Sequence, residues 1–180
     1  MPPLVGPNRT PDVFRKCGKR YVSSPGKDPG PADPIFHGMS ETLPSDVHLV
    51  NLKGKWTEES AYQNVCSWLQ LTKTQKFRID LITAQNDVMA IGAKKAVKES
   101  ADEMDRDDLA GIPVTGCGGV LGTGQAWVRA GHMVATVVLP PNAVTAITLM
   151  TRSLQRKIPP EEHVFTSAEP FPSIESMKRL

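Results

Sequence analysis

The sequence predicts an α/β domain, a three-layer α/β/α arrangement around a mostly parallel five-stranded sheet. Three observations lead there. Strand-type and helix-type segments alternate at spacings of about 20 to 35 residues, the signature of βαβ units. The chain has 180 residues, enough for one domain with a true core. No internal repeat interrupts the alternation.

Residues 1–17 are Pro-rich and without periodicity, and are expected to be irregular. Arg20 to Ser24 reads as the first strand. Pro25 to Pro34 holds four prolines and two glycines and excludes a regular element. A short helix is expected over Ile35 to Leu43. The second strand, 47–52, is rich in strand formers. Thr57 then suits a helix N-cap, with Glu58 and Glu59 where the helix dipole favours acids. Ala61, Val65, Trp68 and Leu69 fall on one face of that helix.

The third strand is expected at 79–84. Gln85-Asn86-Asp87 reads as a polar turn that caps a helix from Val88 to Ser100, whose face of Met89, Gly92, Ala93, Ala96 and Val97 suits close packing on a sheet. The acidic run Glu99 to Asp108 reads as a solvated helix end and loop. A fourth strand at 112–115 leads into a flexible Gly-rich turn, Gly116 to Gly124, and a short helix from Gln125 to Ala130. The most apolar strand, 133–139, ends at Pro140-Pro141. Asn142 can cap a last helix to Arg156, and the tail from Pro159 is again Pro-rich. The expected strand order is 2-1-3-4-5, because right-handed crossovers onto both faces favour it.

Composition excludes several functions. Lys+Arg 21 against Asp+Glu 19 leaves a net charge of +2, which argues against a charge-driven nucleic-acid binder. No apolar run reaches membrane-spanning length. Met1-Pro2-Pro3-Leu4-Val5-Gly6-Pro7 has no basic segment ahead of an apolar one and does not read as a secretory signal. Cys17, Cys66 and Cys117 form no disulfide framework, and with His37, His48, His132 and His163 they give no metal-ligand spacing. Gly119 to Ala126 has the glycine spacing of a phosphate loop, but Gln125 and Ala126 stand where its lysine and hydroxyl belong. There is no GxSxG motif. Neither a catalytic constellation nor a cofactor or metal is expected.

In an open parallel sheet, ligands meet the carboxyl ends of the strands where strand order reverses. Asn86 follows a buried-type strand at such an end. Its amide donates and accepts, which suits a sugar hydroxyl, and it also suits a helix cap. Trp56, just after the second strand, is placed to stack on a sugar face or to serve in the core. Cys117, in a turn near a helix start, has the setting for a lowered pKa, or is an inert thiol.

Ile79 to Ala93, with Ala84-Gln85-Asn86-Asp87 followed by Met89-Ala90 and Gly92-Ala93, resembles the "AQND-x-MA-x-GA" segment of type I periplasmic binding proteins. These are the sugar receptors of ABC transporters, related to the effector domains of lactose-repressor-type regulators. Val114 to Gly119 resembles that family's "GFDG" turn, Gly131 to Pro140 its exit strand, and Gly18 to Gly26 its entry strand. The resemblance covers roughly residues 18–178 and implies the C-terminal lobe of such a protein. It divides the chain into an irregular segment 1–17, a solute-binding-like lobe 18–139, and a crossing helix with Pro-rich tail 140–180.

The resemblance implies non-enzymatic binding of a sugar or polyol, an ABC permease as partner of a full receptor, and a periplasmic location. Without a signal peptide the chain as given reads as cytoplasmic. Asn86 falls on a sugar-bonding position. Gly118 stands where the family usually carries Asp, Ile35 where it carries Arg, and Leu139 where ribose-type receptors carry Gln. The expected contact set is therefore Asn86, Trp56, Cys117 and Gly118. A second reading is a ligand-free interaction or regulatory module, or an effector domain. In the family the helix after Pro140-Pro141 packs on the other lobe. Its stripe of Ala143, Ile147, Met150 and Leu154 is thus expected to dock on its own domain, on a partner chain or, preferentially, on a second copy in a homodimer.

Overall fold

The computed structural model describes residues 20–24, 32–71, 78–157, 159 and 162–177. The irregular segment 1–17 with Cys17, the residues 25–31 and the side chain of Ile35 lie outside the described set. The elements run β1 (Arg20–Ser24), α1 (Ala32–Thr42), β2 (His48–Asn51), α2 (Glu58–Leu69), β3 (Leu81–Ala84) and α3 (Asp87–Met104). They continue α4 (Asp107–Ala110), β4 (Val114–Gly118), α5 (Gly124–Arg129), β5 (Ala135–Val138), α6 (Asn142–Arg156) and β6 (Glu169–Phe171).

The sheet order is β2-β1-β3-β4-β5-β6. The first five strands are all parallel, in the 2-1-3-4-5 order that the crossover rule predicts, and strand order reverses beside β1. β6 is an addition that the sequence reading left inside the Pro-rich tail. It pairs antiparallel with β5, Pro170 opposite Val137. A proline lacks the N–H that a central strand needs, so this segment can pair only at a sheet edge, which is where it sits.

The core lies between the sheet and α2 and α3. Ile82, Ala84, Val114 and Thr136 alternate inward along their strands and are buried, while Leu81, Thr83, Thr115 and Ala135 on the other face are half-covered. Ala61, Val65 and Leu69 of α2 are buried as their spacing predicts, and Trp68 is half-buried. All five small-face residues of α3 are buried. The closest approach is at Gly92, where an added Cβ would lie 2.2 Å from the carbonyl oxygen of Glu58. Two of the three N-caps read from the sequence are present. Thr57 accepts from the N–H of Ser60 at 3.2 Å, and Asn86 accepts from that of Met89 at 2.7 Å.

Two expectations change. The turn expected from Gly116 begins later, because β4 runs on to Gly118 against β5. Pro141, not Asn142, holds the N-cap position of α6, and the Asn142 side-chain oxygen Oδ1 instead accepts from the Thr166 hydroxyl at 2.9 Å. The acidic run is the end of α3 and the loop after it, with Asp102, Glu103, Asp105, Asp107 and Asp108 exposed as expected, and α4 begins at its last two residues.

Gly92→Ala removes a helix-weakening glycine, a gain of at most about 1 kcal/mol, but drives a methyl into a backbone carbonyl, an overpacking cost of about 1–3 kcal/mol. Net destabilisation is expected, read as a lower urea midpoint. An unchanged or raised midpoint would contradict the close approach of α2 and α3.

Candidate functional site

Two adjacent residues at the start of α3 organise the carboxyl edge of the sheet. Asn86, the N-cap, is half-buried. Its Nδ2 donates to the carbonyl oxygen of Trp56 at 3.1 Å while its Oδ1 accepts from Met89. Trp56 has φ +20°, a region that bulky residues rarely enter, and its ring is half-buried against the core. The amide of Asn86 thereby joins the end of β3 to the segment after β2. An amide has two N–H groups and two oxygen lone pairs, so one donor and one acceptor remain on Asn86 after these bonds.

Asp87 is buried, with 6% of its surface exposed. Its Oδ2 accepts from the N–H of Gly119 at 2.8 Å, and its Oδ1 accepts from the Thr136 hydroxyl at 2.6 Å. It sits in the first turn of α3, where the helix dipole favours an anion. Three glycines make the room. A Cβ on Gly116 or Gly124 would come within 2.3 Å or 2.1 Å of the carboxylate oxygens, and one on Gly118 would lie 3.2 Å away. Gly118 also has φ +119°, a conformation only glycine adopts readily. An aspartate at 118, as the resemblance would lead one to expect, would strain the backbone and set a second carboxylate beside the first.

The turn after β4 is fixed from its other side too. Gln125 Nε2 donates to the Gly119 carbonyl at 2.9 Å, and Arg129 donates to Gln125 Oε1 at 3.1 Å. The guanidinium of Arg129 lies 4.8 Å from the Phe171 ring centre, which ties this chain of contacts to β6. The N–H of Leu139 donates to the Gly118 carbonyl at 3.2 Å.

Of the four residues named from the sequence, Asn86 and the backbone of Trp56 are in direct contact. Gly118 joins the same edge through Asp87. Cys117 lies within β4 and alternates away from Gly116 and Gly118, whose faces meet Asp87. Burial pushes the Cys117 thiol above its ordinary pKa, and the Asp87 carboxylate pushes it further. Of the two readings of Cys117, a lowered pKa and an inert thiol, this setting supports the inert thiol. Sequence reasoning missed Asp87, Thr136 and Gln125. The available signal was an acid directly after a helix cap in a chain whose later turn is crowded with glycine.

No cluster of three or more His, Cys, Asp or Glu among the described residues could hold a metal ion. No described helix is long and apolar enough to cross a membrane.

No protein-family profile and no curated protein matches the chain. Solved structures do. The fructose-binding periplasmic domain of a hybrid two-component system is 23% identical with a TM-score of 0.69, over 85% of this chain and 50% of that one. An ABC transporter periplasmic solute-binding protein from Actinobacillus succinogenes 130z, with bound D-allose, is 22% identical with a TM-score of 0.67, over 88% and 52%. A LacI family transcriptional regulator from Arthrobacter sp. FB24, in complex with lactose, is 18% identical with a TM-score of 0.57, over 81% and 51%. The fold is that of one periplasmic-binding-protein lobe. The chain spans about half the length of the structures it matches.

The lobe's edge depends on Asp87. Asp87→Asn replaces an acceptor-only group with one that must turn an N–H₂ toward Gly119 or Thr136. Loss of one charge-assisted hydrogen bond predicts destabilisation of about 2 kcal/mol in urea unfolding, with faster amide exchange at Gly119. Wild-type stability and exchange would show that the carboxylate is not what holds the turn.

Proposed function

We propose that this lobe binds a small neutral solute, a sugar or polyol, at the carboxyl edge of its sheet without chemical conversion. In this reading it is the solute-binding component of an ABC transporter, working with a permease in the periplasm. The observation that carries the reading is Asn86. It stands at the end of β3, beside the reversal of strand order, with one donor and one acceptor unspent and a tryptophan tethered to it. The binding region falls within 18–139, with Trp56 and Gly118 beside Asn86 and Cys117 on the other face of β4, and 140–180 forms the crossing helix and tail.

Titration calorimetry against pentoses, hexoses and polyols tests it. Asn86→Ser keeps a side-chain oxygen for the α3 cap but removes the amide donor, so affinity for the solute that binds should fall by about tenfold, one to two hydrogen bonds' worth. Equal affinity in the variant, with the fold intact by circular dichroism, would remove Asn86 from the site.

A second reading, an interaction or regulatory module such as the effector domain of a lactose-repressor-type regulator, is favoured by α6. That helix buries none of its residues, and Ile147, Met150 and Leu154 are exposed, Leu154 at 78%. Among the described residues, nothing buries this stripe against its own domain, one of the arrangements expected from the sequence. In this reading a second copy or another chain covers the stripe. Light scattering after size exclusion at tens of micromolar should give a dimer that Leu154→Glu converts to monomer. A wild-type monomer at that concentration would refute the homodimer.

A further inference from the structure

The edge that carries Asn86 is polar at one end and apolar at the other. Leu139 is 50% exposed, and Val120 and Leu121, the two residues after Gly119, are 62% and 67% exposed. A run of contacts connects these residues to Asn86. Asp87 follows Asn86 and accepts from the N–H of Gly119, Gly119 precedes Val120, and Leu139 donates its N–H to the Gly118 carbonyl. Val120 and Leu121 thus belong to the turn that Asp87, the neighbour of Asn86, holds, and Leu139 follows the end of β5 beside it. Between the ends of β3 and β5 lie two interstrand spacings, roughly 10 Å, a span wider than one sugar ring.

A sugar ring can use the spare donor and acceptor of Asn86. It cannot use the other end, where Gly118 has no side chain and Leu139, Val120 and Leu121 offer only hydrocarbon. A hydroxyl pressed there loses water and gains nothing. An apolar substituent gains in proportion to the area it hides from water.

We propose that the ligand is a glycoside with an apolar aglycone, its sugar at Asn86 and its aglycone across Leu139, Val120 and Leu121. This rests on the reading of the carboxyl edge as a solute-binding site and names the ligand class for it. The single amide sets the sugar's orientation, and the aglycone supplies the larger share of the affinity.

Calorimetry on the full chain with three probe sets decides the matter: free pentoses and hexoses, their 4-nitrophenyl glycosides, and 4-nitrophenol alone. One aryl glycoside is expected to bind at least roughly tenfold more tightly than both its free sugar and 4-nitrophenol, the gain from burying much of one ring. The double variant Val120→Ser, Leu139→Ala should lose that gain while keeping the affinity for the free sugar, with its urea midpoint confirming the fold. Equal binding of glycoside and free sugar overturns the aglycone contact and leaves the solute-binding reading intact. Binding of 4-nitrophenol as tight as that of the glycoside also overturns the proposal, because the surface would then hold any apolar ring. If no probe of any set binds, the solute-binding reading falls, and this inference with it.

Discussion

A buried carboxylate governs this lobe. A charge removed from water must be repaid by hydrogen bonds and local dipoles. Asp87 has both: the N–H of Gly119, the hydroxyl of Thr136 and the amino end of α3. Those partners come from three consecutive βα units, so one side chain sets the relative position of three strand ends. The glycines at 116, 118 and 124 follow from this. They are empty positions that the carboxylate fills, and a methyl at 116 or 124 would collide with it. The Gly-rich segment therefore behaves less as a flexible turn than as a mould around a fixed charge.

This explains what the sequence revealed and what it hid. Alternation and helical spacing are local signals, and they located five strands, the order of the sheet and the N-caps at Thr57 and Asn86. Asn86 was legible because cap chemistry acts over three residues. Asp87 was not, because its partners stand 32 and 49 residues away and no periodicity marks them. The same distance left Cys117 with two readings. Its nearness to a helix start is visible in sequence, but the burial that raises its pKa, and the Asp87 carboxylate that adds to it, come from tertiary packing. β6 was hidden for a different reason, since Pro170 and Pro172 argue against a strand unless an edge is known to be waiting.

The packing is asymmetric in a way that composition foreshadows. Only 39% of the residues are apolar, and the buried ones concentrate on the face covered by α2 and α3. There the helices approach so closely that Gly92 and the alanines of α3 do the work of larger side chains. Dense packing of small residues recovers dispersion contacts that bulk would otherwise provide. On the opposite face, Cys117 is half-covered and Val137 is 39% exposed. The α6 stripe shows the limit of pattern reading. Its spacing states that the helix has an apolar side, but a helix pattern says nothing about where the cover comes from.

If the carboxyl edge binds a solute as proposed, its affinity is constrained by how few polar groups the lobe can place there. One hydrogen bond contributes a net 0.5–1.5 kcal/mol or so, and Asn86 has two of its four bonding positions committed to Met89 and Trp56. Gly118 cannot acquire a polar side chain without disturbing Asp87, because its φ of +119° and the nearby carboxylate both resist a Cβ. The charge that makes the edge rigid thus also limits its polarity. Burying one apolar side chain's worth of surface is worth about 1.5–3 kcal/mol, more than any single bond Asn86 can still form. Selection for tighter binding in this lobe would therefore act more readily through the apolar surface of Leu139, Val120 and Leu121 than through added hydrogen bonds at position 118.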